Sequence, residues 1–229
     1  LEAIIDTKMV NRSTFIAVKN SLSKEVTIKP LFNGQPQITL DISTKFVSLD
    51  KNTGKEYINS SFERATIKGK DNVQRYCRSG KLPDDPDSVE YIKKNSARDT
   101  SAQGKPIYFK PWPPKPNYKD KKKGKEPDTP YFKYRINMKT ETELTDRKLN
   151  NFIHRIKKNL KSYRYKCRWS YISLNNQFRI DCTVVKSTKY GDFFDDFKAS
   201  GVLNRPEEYE IEIEYIGNKD DLYEPFTLD

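Results

Sequence analysis

Along much of the chain, apolar and polar positions alternate with a period of two, the pattern of strands that bury one face. This alternation predicts strands over 24–30, 36–42, 44–49, 57–69, 131–143, 162–174, 177–187 and 207–216. Four segments carry helical spacing instead. The first covers 12–22, capped by Asn11 or Ser13, with Phe15, Val18 and Leu22 on one face. A short second helix over 71–78 opens at Asp71. The third starts after Thr145 and repeats Leu149, Phe152, Ile153, Ile156 and Leu160; Lys157, Lys158 and Lys161 near its end suit the helix dipole. The fourth, 191–200, holds Phe193, Phe194 and Phe197 and stops at Gly201. Many strands with few, short helices predict a mainly β, antiparallel domain or barrel. No internal repeat is visible.

Composition adjusts this picture. Hydrophobic residues make up 34% and charged residues 33% of 229, yet 12% are aromatic, so the chain has a core to pack. The length suits a single domain over 1–229 with one insertion at about 96–130. Seven of the 13 prolines lie between Pro106 and Pro130, beside the run KDKKKGKE at 119–126. That insertion reads as a solvated basic loop or as a contact for RNA or a partner domain. A net charge of +11 favours polyanionic partners. No run approaches the length of a membrane span. LEAIIDTK is no signal peptide, and since the chain opens on Leu1, further residues are expected upstream. Cys77, Cys167 and Cys182 are an odd set without CxxC spacing. This points away from a disulfide framework or zinc site and towards an intracellular, reducing setting.

Several phosphate chemistries are excluded. There is no GxxxxGK[ST] loop and no nucleotide-transferring Lys-x-Asp-Gly motif. A cysteine phosphatase needs Arg six positions after its Cys, where this chain has Pro83, Ser173 and Thr188. The single histidine, His154, falls on the exposed side of the third helix and has no assigned role.

The chemistry lies in the strands. In Tyr209–Tyr215, Glu210, Glu212 and Glu214 share one face at about 6–7 Å spacing, while Tyr209, Ile211, Ile213 and Tyr215 share the other. Alone, this is a half-buried strand with a wet acidic face, or a carboxylate row for hard cations. Arg164, Lys166 and Arg168 form a basic row opposite Tyr165, Cys167 and Trp169. Arg179, Asp181 and Thr183 share a face against Phe178, Ile180, Cys182 and Val184, and Arg135, Asn137, Lys139, Glu141 and Glu143 share another. Signs segregate by strand, whereas ordinary surfaces mix them. If the charged faces point inward, an acidic wall faces an Arg-rich wall suited to phosphate, and the Phe-rich helices cover the outside.

These motifs resemble the triphosphate-tunnel family of metal-dependent phosphohydrolases, and within it the RNA 5′-triphosphatase domain of large-DNA-virus, mimivirus-type mRNA capping enzymes. The C-terminal glutamate strand matches at Glu210, Glu212 and Glu214, the Arg-x-Lys-x-Arg strand at Arg164, Lys166 and Arg168, and Arg-x-Asp-x-Thr at Arg179, Asp181 and Thr183, running on to Lys186. Of the first Glu-x-Glu pair only Glu2 is present; its partner would precede Leu1. Arg64, Lys94, Arg135, Lys139 and Glu141 are further matches. The resemblance implies a closed, antiparallel eight-stranded tunnel with a hydrophilic interior, Mg²⁺ or Mn²⁺ dependence, and γ-phosphate release from 5′-triphosphate RNA, the first step of mRNA capping. It further implies linked guanylyltransferase and methyltransferase domains and, for a viral protein, residence in the virion or the host's cytoplasmic virus factory.

On this resemblance Glu2, Glu212 and Glu214 hold the metal. Arg164, Lys166, Arg168 and Arg179 grip phosphate, and Asp181 holds the cationic side chains in place. Glu210 or Glu141 orients the attacking water. Arg64, Lys94, Arg135, Lys139, Thr183 and Lys186 complete the phosphate-binding set. Two other readings stand beside it. One is a tripolyphosphatase or nucleoside triphosphatase of the same fold. The other is a non-catalytic RNA- or phosphate-binding module in which Tyr163, Tyr165 and Trp169 stack on bases.

Overall fold

The computed structural model describes residues 2–5, 10–49, 53–96, 107–108, 134–137 and 139–218. In chain order the strands are β1 (Glu2–Ile5), β2 (Ile28–Pro30), β3 (Gln37–Leu49), β4 (Glu56–Ser60), β5 (Glu63–Lys68), β6 (Val89–Ser96), β7 (Ile107–Tyr108), β8 (Tyr134–Asn137), β9 (Lys139–Glu143), β10 (Lys161–Ser173), β11 (Phe178–Ser187) and β12 (Glu208–Tyr215). The helices are α1 (Arg12–Leu22), α2 (Lys70–Ser79), α3 (Asp146–Lys158) and α4 (Phe197–Ser200). The sheet is antiparallel and curled, in the order β7-β8-β1-β12-β11-β10-β3-β5-β6-β9, with β2 on β10 and β4 on β3. The mainly β, antiparallel expectation therefore holds. The closed eight-stranded barrel does not appear as such: among the described residues the ladder path is open, ending at β7 and β9.

Local chemistry explains where the elements differ from the sequence pattern. Strand 24–30 shrinks to β2 because the Glu25 carboxylate takes the Thr27 hydroxyl and holds a turn. Segment 57–69 breaks into β4 and β5 because the Ser61 hydroxyl donates to the Glu63 carbonyl at 2.8 Å and the Ser61 amide to Thr44. The predicted break at 43 is absent: 36–42 and 44–49 fuse into β3, which keeps the predicted end at Leu49. Helix α1 keeps its predicted bounds, with the Asn11 side chain accepting from the Thr14 amide. The fourth helix shortens to α4. Asp196 caps it by accepting from the Ala199 amide at 2.8 Å, while Phe194 is drawn into a bridge with Lys161. Gly201 ends it with φ +56, as its sequence position implies. Most of the 96–130 insertion lies outside the described residues.

The sheet is apolar on its outer face. Leu40, Ile42, Ala65, Ile67 and Tyr163 point outward and pack beneath Val73 and Tyr76 of α2, Phe152 and Ile156 of α3, and Phe197. On another part of the sheet Phe15 of α1 covers Tyr171, Cys182 and Ile211, with Trp169 and Tyr209 against its ring. Burying each such aromatic side chain contributes about 2–3 kcal/mol, so the helices stabilise the sheet from outside. The inner face is left to polar groups. The three cysteines are free, and among the described residues no helix is long and apolar enough to cross a membrane.

Candidate active site

Alternation along β10, β11 and β12 turns their charged rows to the concave face. There they border a cavity of about 1060 Å³. Arg164, Lys166, Arg168, Arg179, Asp181, Glu212 and Glu214 line it, joined by Glu2 from β1, Arg64 from β5, Lys94 from β6 and Glu141 from β9. The two sets that the sequence separates by strand thus meet in one space.

The acidic wall is crowded. Glu2 stands opposite Glu214 across the β1–β12 ladder, and Asp181 opposite Glu212 across β11–β12. Directly opposed like charges destabilise a sheet unless cations intervene. Burial raises the Glu212 carboxyl above its usual range, and the Glu2 charge pushes it the same way. Arginines meet part of this demand. Arg168 lies 3.2 Å from Asp181 and 3.7 Å from Glu212, and Arg179 bonds both Asp181, at 3.2 Å, and Glu214. Asp181, 3% exposed, also accepts the Ser170 hydroxyl at 2.6 Å, so it fixes both guanidinium groups from a buried position. Among the described residues no three carboxylates are drawn together as a ligand cluster. The donor set is nevertheless all oxygen, and a hard divalent cation fits its chemistry and relieves its repulsion.

The basic wall is built around a residue that the sequence reading left out. Asp41 of β3, 4% exposed, lies 2.8 Å from the Lys166 ammonium and 3.5 Å from Arg64, and accepts the Thr66 hydroxyl at 2.9 Å. Burial alone would raise its pKa, but Lys166 and Arg64 outweigh that and hold it below the usual carboxylate range. For Lys166 burial wins: with Arg64 and Arg168 crowding it, its pKa falls to about 8 although Asp41 opposes the shift. The signal was present in β3, where Thr39, Asp41 and Ser43 alternate with Ile38, Leu40 and Ile42.

Other predicted residues fall unevenly. Lys94 pairs with Glu141 at 2.8 Å, and Arg64 reaches Glu141 at 3.8 Å. Burial works against it, but these cations keep the Glu141 carboxyl below its usual range. Glu210 faces inward, lies outside the cavity lining and is bound to Arg164. Thr183 is fully buried, with its hydroxyl accepting from Arg168 Nε at 3.3 Å, so it supports a cation and does not meet phosphate. Lys186 is a correction. Three residues beyond Thr183 it has the opposite parity and points away from the concave face, donating to the Leu203 carbonyl at 2.9 Å. The side chains of Arg135 and Lys139 lie outside the described residues.

The base-stacking platform also dissolves. Tyr163 is 2% exposed and packed edge-on to Phe197, while Trp169 lies against Phe15 with the Lys19 ammonium 4.4 Å from its ring centre. Tyr165 lies half-buried against the core cluster and lines the cavity, so it alone of the three stays within reach of a ligand. His154 is exposed, as expected.

No family model and no curated protein sequence matches the chain. Among solved structures it is similar to the Pct1 RNA triphosphatase of S. pombe, at 14% identity over 93% of this chain and 82% of that one, with a TM-score of 0.33. At that score and identity the likeness carries no argument about chemistry.

Proposed function

We propose that this chain is a metal-dependent polynucleotide 5′-phosphatase that removes the γ-phosphate from 5′-triphosphate RNA. The observation that carries the reading is the convergence of Glu2, Glu212 and Glu214 with Arg164, Lys166, Arg168 and Arg179 on one cavity. Glu2, Glu212 and Glu214 would hold a hard divalent cation such as Mg²⁺ or Mn²⁺, which would supply Lewis-acid charge neutralisation to the bound oligophosphate. The chain's own groups do the rest. Four cations from β10 and β11 neutralise and orient the non-bridging oxygens, and positioning with charge stabilisation is most of what phosphoryl transfer demands. Asp41, on Lys166, and Asp181, on Arg168 and Arg179, are both buried and hold three of those cations so that little reorganisation is needed on binding. Glu141 lines the cavity with a depressed pKa, which suits an acceptor that orients water better than a base that removes its proton.

The same reading closes the tunnel. β8 pairs with β1 and β9 with β6, and only Met138 separates β8 from β9. Taken as one strand they join the two ends of the sheet. The ring then comprises β1, β12, β11, β10, β3, β5, β6 and the β8–β9 strand. A place at the head of a capping enzyme, with guanylyltransferase and methyltransferase domains following, belongs to the same proposal.

The test is orthophosphate release from RNA labelled at the γ-phosphate, with Mg²⁺, with Mn²⁺ and with chelator. Release that needs metal and leaves a diphosphate end supports the proposal. Faster release from tripolyphosphate or nucleoside triphosphate than from RNA would replace RNA by those substrates, and no metal-dependent release from any of them would refute hydrolysis.

A further inference from the structure

Residues 31–36 connect β2 to β3. Both strands lie antiparallel to β10, with Pro30 opposite Tyr171 and Gln37 opposite Arg168. The connection therefore has more chain than the gap along β10 requires, and the excess stands off the sheet. It is nevertheless fixed. The Leu31 amide donates to the Ser170 carbonyl at 2.8 Å, the Gly34 amide to Leu31 at 3.0 Å and the Gln35 amide to Phe32 at 2.9 Å. Gln35, Pro36 and Gln37 line the cavity beside Lys68 and Lys70, and because Gln35, Gln37, Lys68 and Lys70 are exposed, this is its mouth.

Phe32 stands on the same loop, three residues before Gln35 and outside the cavity lining, and it is out of place by ordinary criteria. Phe32, Asn33 and Gly34 have φ of 53, 52 and 72°, three successive left-handed residues. Glycine and asparagine tolerate that conformation, whereas the Cβ of a phenylalanine crowds its own carbonyl. Burial gives little back: the residue is 54% exposed and belongs to neither apolar cluster. Backbone preference and the hydrophobic effect both favour another side chain at this position. An aromatic ring held against both, on a pinned loop at the mouth of a polyphosphate site, has the properties of a stacking surface.

We propose that Phe32 stacks on the nucleobase of the first nucleotide of a triphosphate-ended RNA and is the residue that separates a polynucleotide from bare tripolyphosphate. This rests on the phosphatase reading and adds a specificity determinant to it. The phosphates occupy the cationic cavity, and the base leaves through the mouth past Gln35 and Pro36. Stacking does not depend on base identity, since every base offers a π-face.

The experiment compares wild type with Phe32→Ala, Phe32→Asn and Phe32→Tyr on a short 5′-triphosphate RNA oligonucleotide and on tripolyphosphate. Asn tolerates the left-handed backbone, so it removes the ring without disturbing the turn; Tyr restores the ring. KM for the RNA is expected to rise about tenfold in Phe32→Ala and Phe32→Asn with kcat unchanged, the effect of losing one base–aromatic contact. KM for tripolyphosphate should move less than twofold, and Phe32→Tyr should behave as wild type. Fluorescence-anisotropy binding of the same oligonucleotide gives a readout independent of turnover. Unchanged RNA affinity in Phe32→Asn, or equal losses on RNA and tripolyphosphate, would overturn the stacking role. A wild type that hydrolyses neither substrate refutes the phosphatase reading instead, and the binding data then judge Phe32 alone.

Discussion

Replacing Asp41 by Asn tests the buried support of the basic wall. The substitution keeps the side chain's shape and the oxygen that accepts from Thr66, and replaces the charged oxygen facing Lys166 at 2.8 Å and Arg64 at 3.5 Å by a neutral NH2 donor. Leaving a buried cation unpaired costs about 3–5 kcal/mol if it stays charged. Lys166 has an alternative, because burial already brings its pKa from 10.5 to about 8. Losing an opposite charge at close range lowers it by a further 1–3 units or so. At pH 7 shedding the proton then costs only about 1.4 kcal/mol more than the wild type already bears, the value of one pH unit. Proton release wins. The expected destabilisation is about 1–2 kcal/mol, a fall in Tm of roughly 3–6 °C for a chain of this size.

The pH dependence carries the signature. Between about 8 and 10.5 the unfolded wild-type chain holds a proton on Lys166 that the folded chain has lost, so this group makes stability rise with pH across that window. In Asp41→Asn the window starts at least one unit lower, and the gap in Tm narrows above pH 8. In kcat/KM for tripolyphosphate the alkaline limb near pH 8 moves acidward by the same amount, since that ratio reports the free enzyme. An unchanged Tm together with an alkaline limb still near pH 8 would refute the pairing of Asp41 with Lys166.

Glu212→Ala should abolish metal-dependent phosphate release while Tm stays within about 3 °C, because it removes an inward carboxylate crowded by Glu2 and no apolar packing; retained turnover would remove Glu212 from the site. Arg168→Lys should lower kcat/KM at least tenfold, since one ammonium cannot span Asp181 and Glu212 as the guanidinium does, and equal activity would reduce Arg168 to bulk charge. Lys186→Ala should leave both kinetic constants unchanged within twofold, in keeping with its outward position, and a raised KM would restore it to the phosphate set.

The legible part of this structure is what alternation encodes. The carboxylate row of β12 and the cationic row of β10 reach the cavity because parity alone sets their direction. Parity was equally available for Lys186, an odd number of residues from Thr183, and it marks that assignment as an error of face. Glu210 shows a different limit: its parity is right, but how far the cavity extends along the strand is set by packing between strands distant in sequence. Asp41 was hidden because its apolar neighbours Leu40 and Ile42 make β3 read as core, and its role exists only once Arg64 and Lys166 arrive from other strands. The left-handed run at Phe32 has only Asn33 and Gly34 as a local cue. The cap at Asp196 that shortens the fourth helix shows how one hydrogen bond overrides apolar spacing.

The central claim is that the carboxylates of β1 and β12 and the cations of the adjoining β10 and β11 act on one metal–oligophosphate. Calorimetric titration with the non-hydrolysable imidotriphosphate measures this directly: Mn²⁺ into protein with and without the analogue, and the analogue with and without Mn²⁺, each corrected for Mn²⁺–analogue binding in buffer. Shared occupancy predicts that each ligand tightens the other by the same factor, as linkage requires, and that Glu212→Ala and Arg168→Lys both diminish that factor. Independent binding of the two ligands, or coupling indifferent to both substitutions, would contradict it.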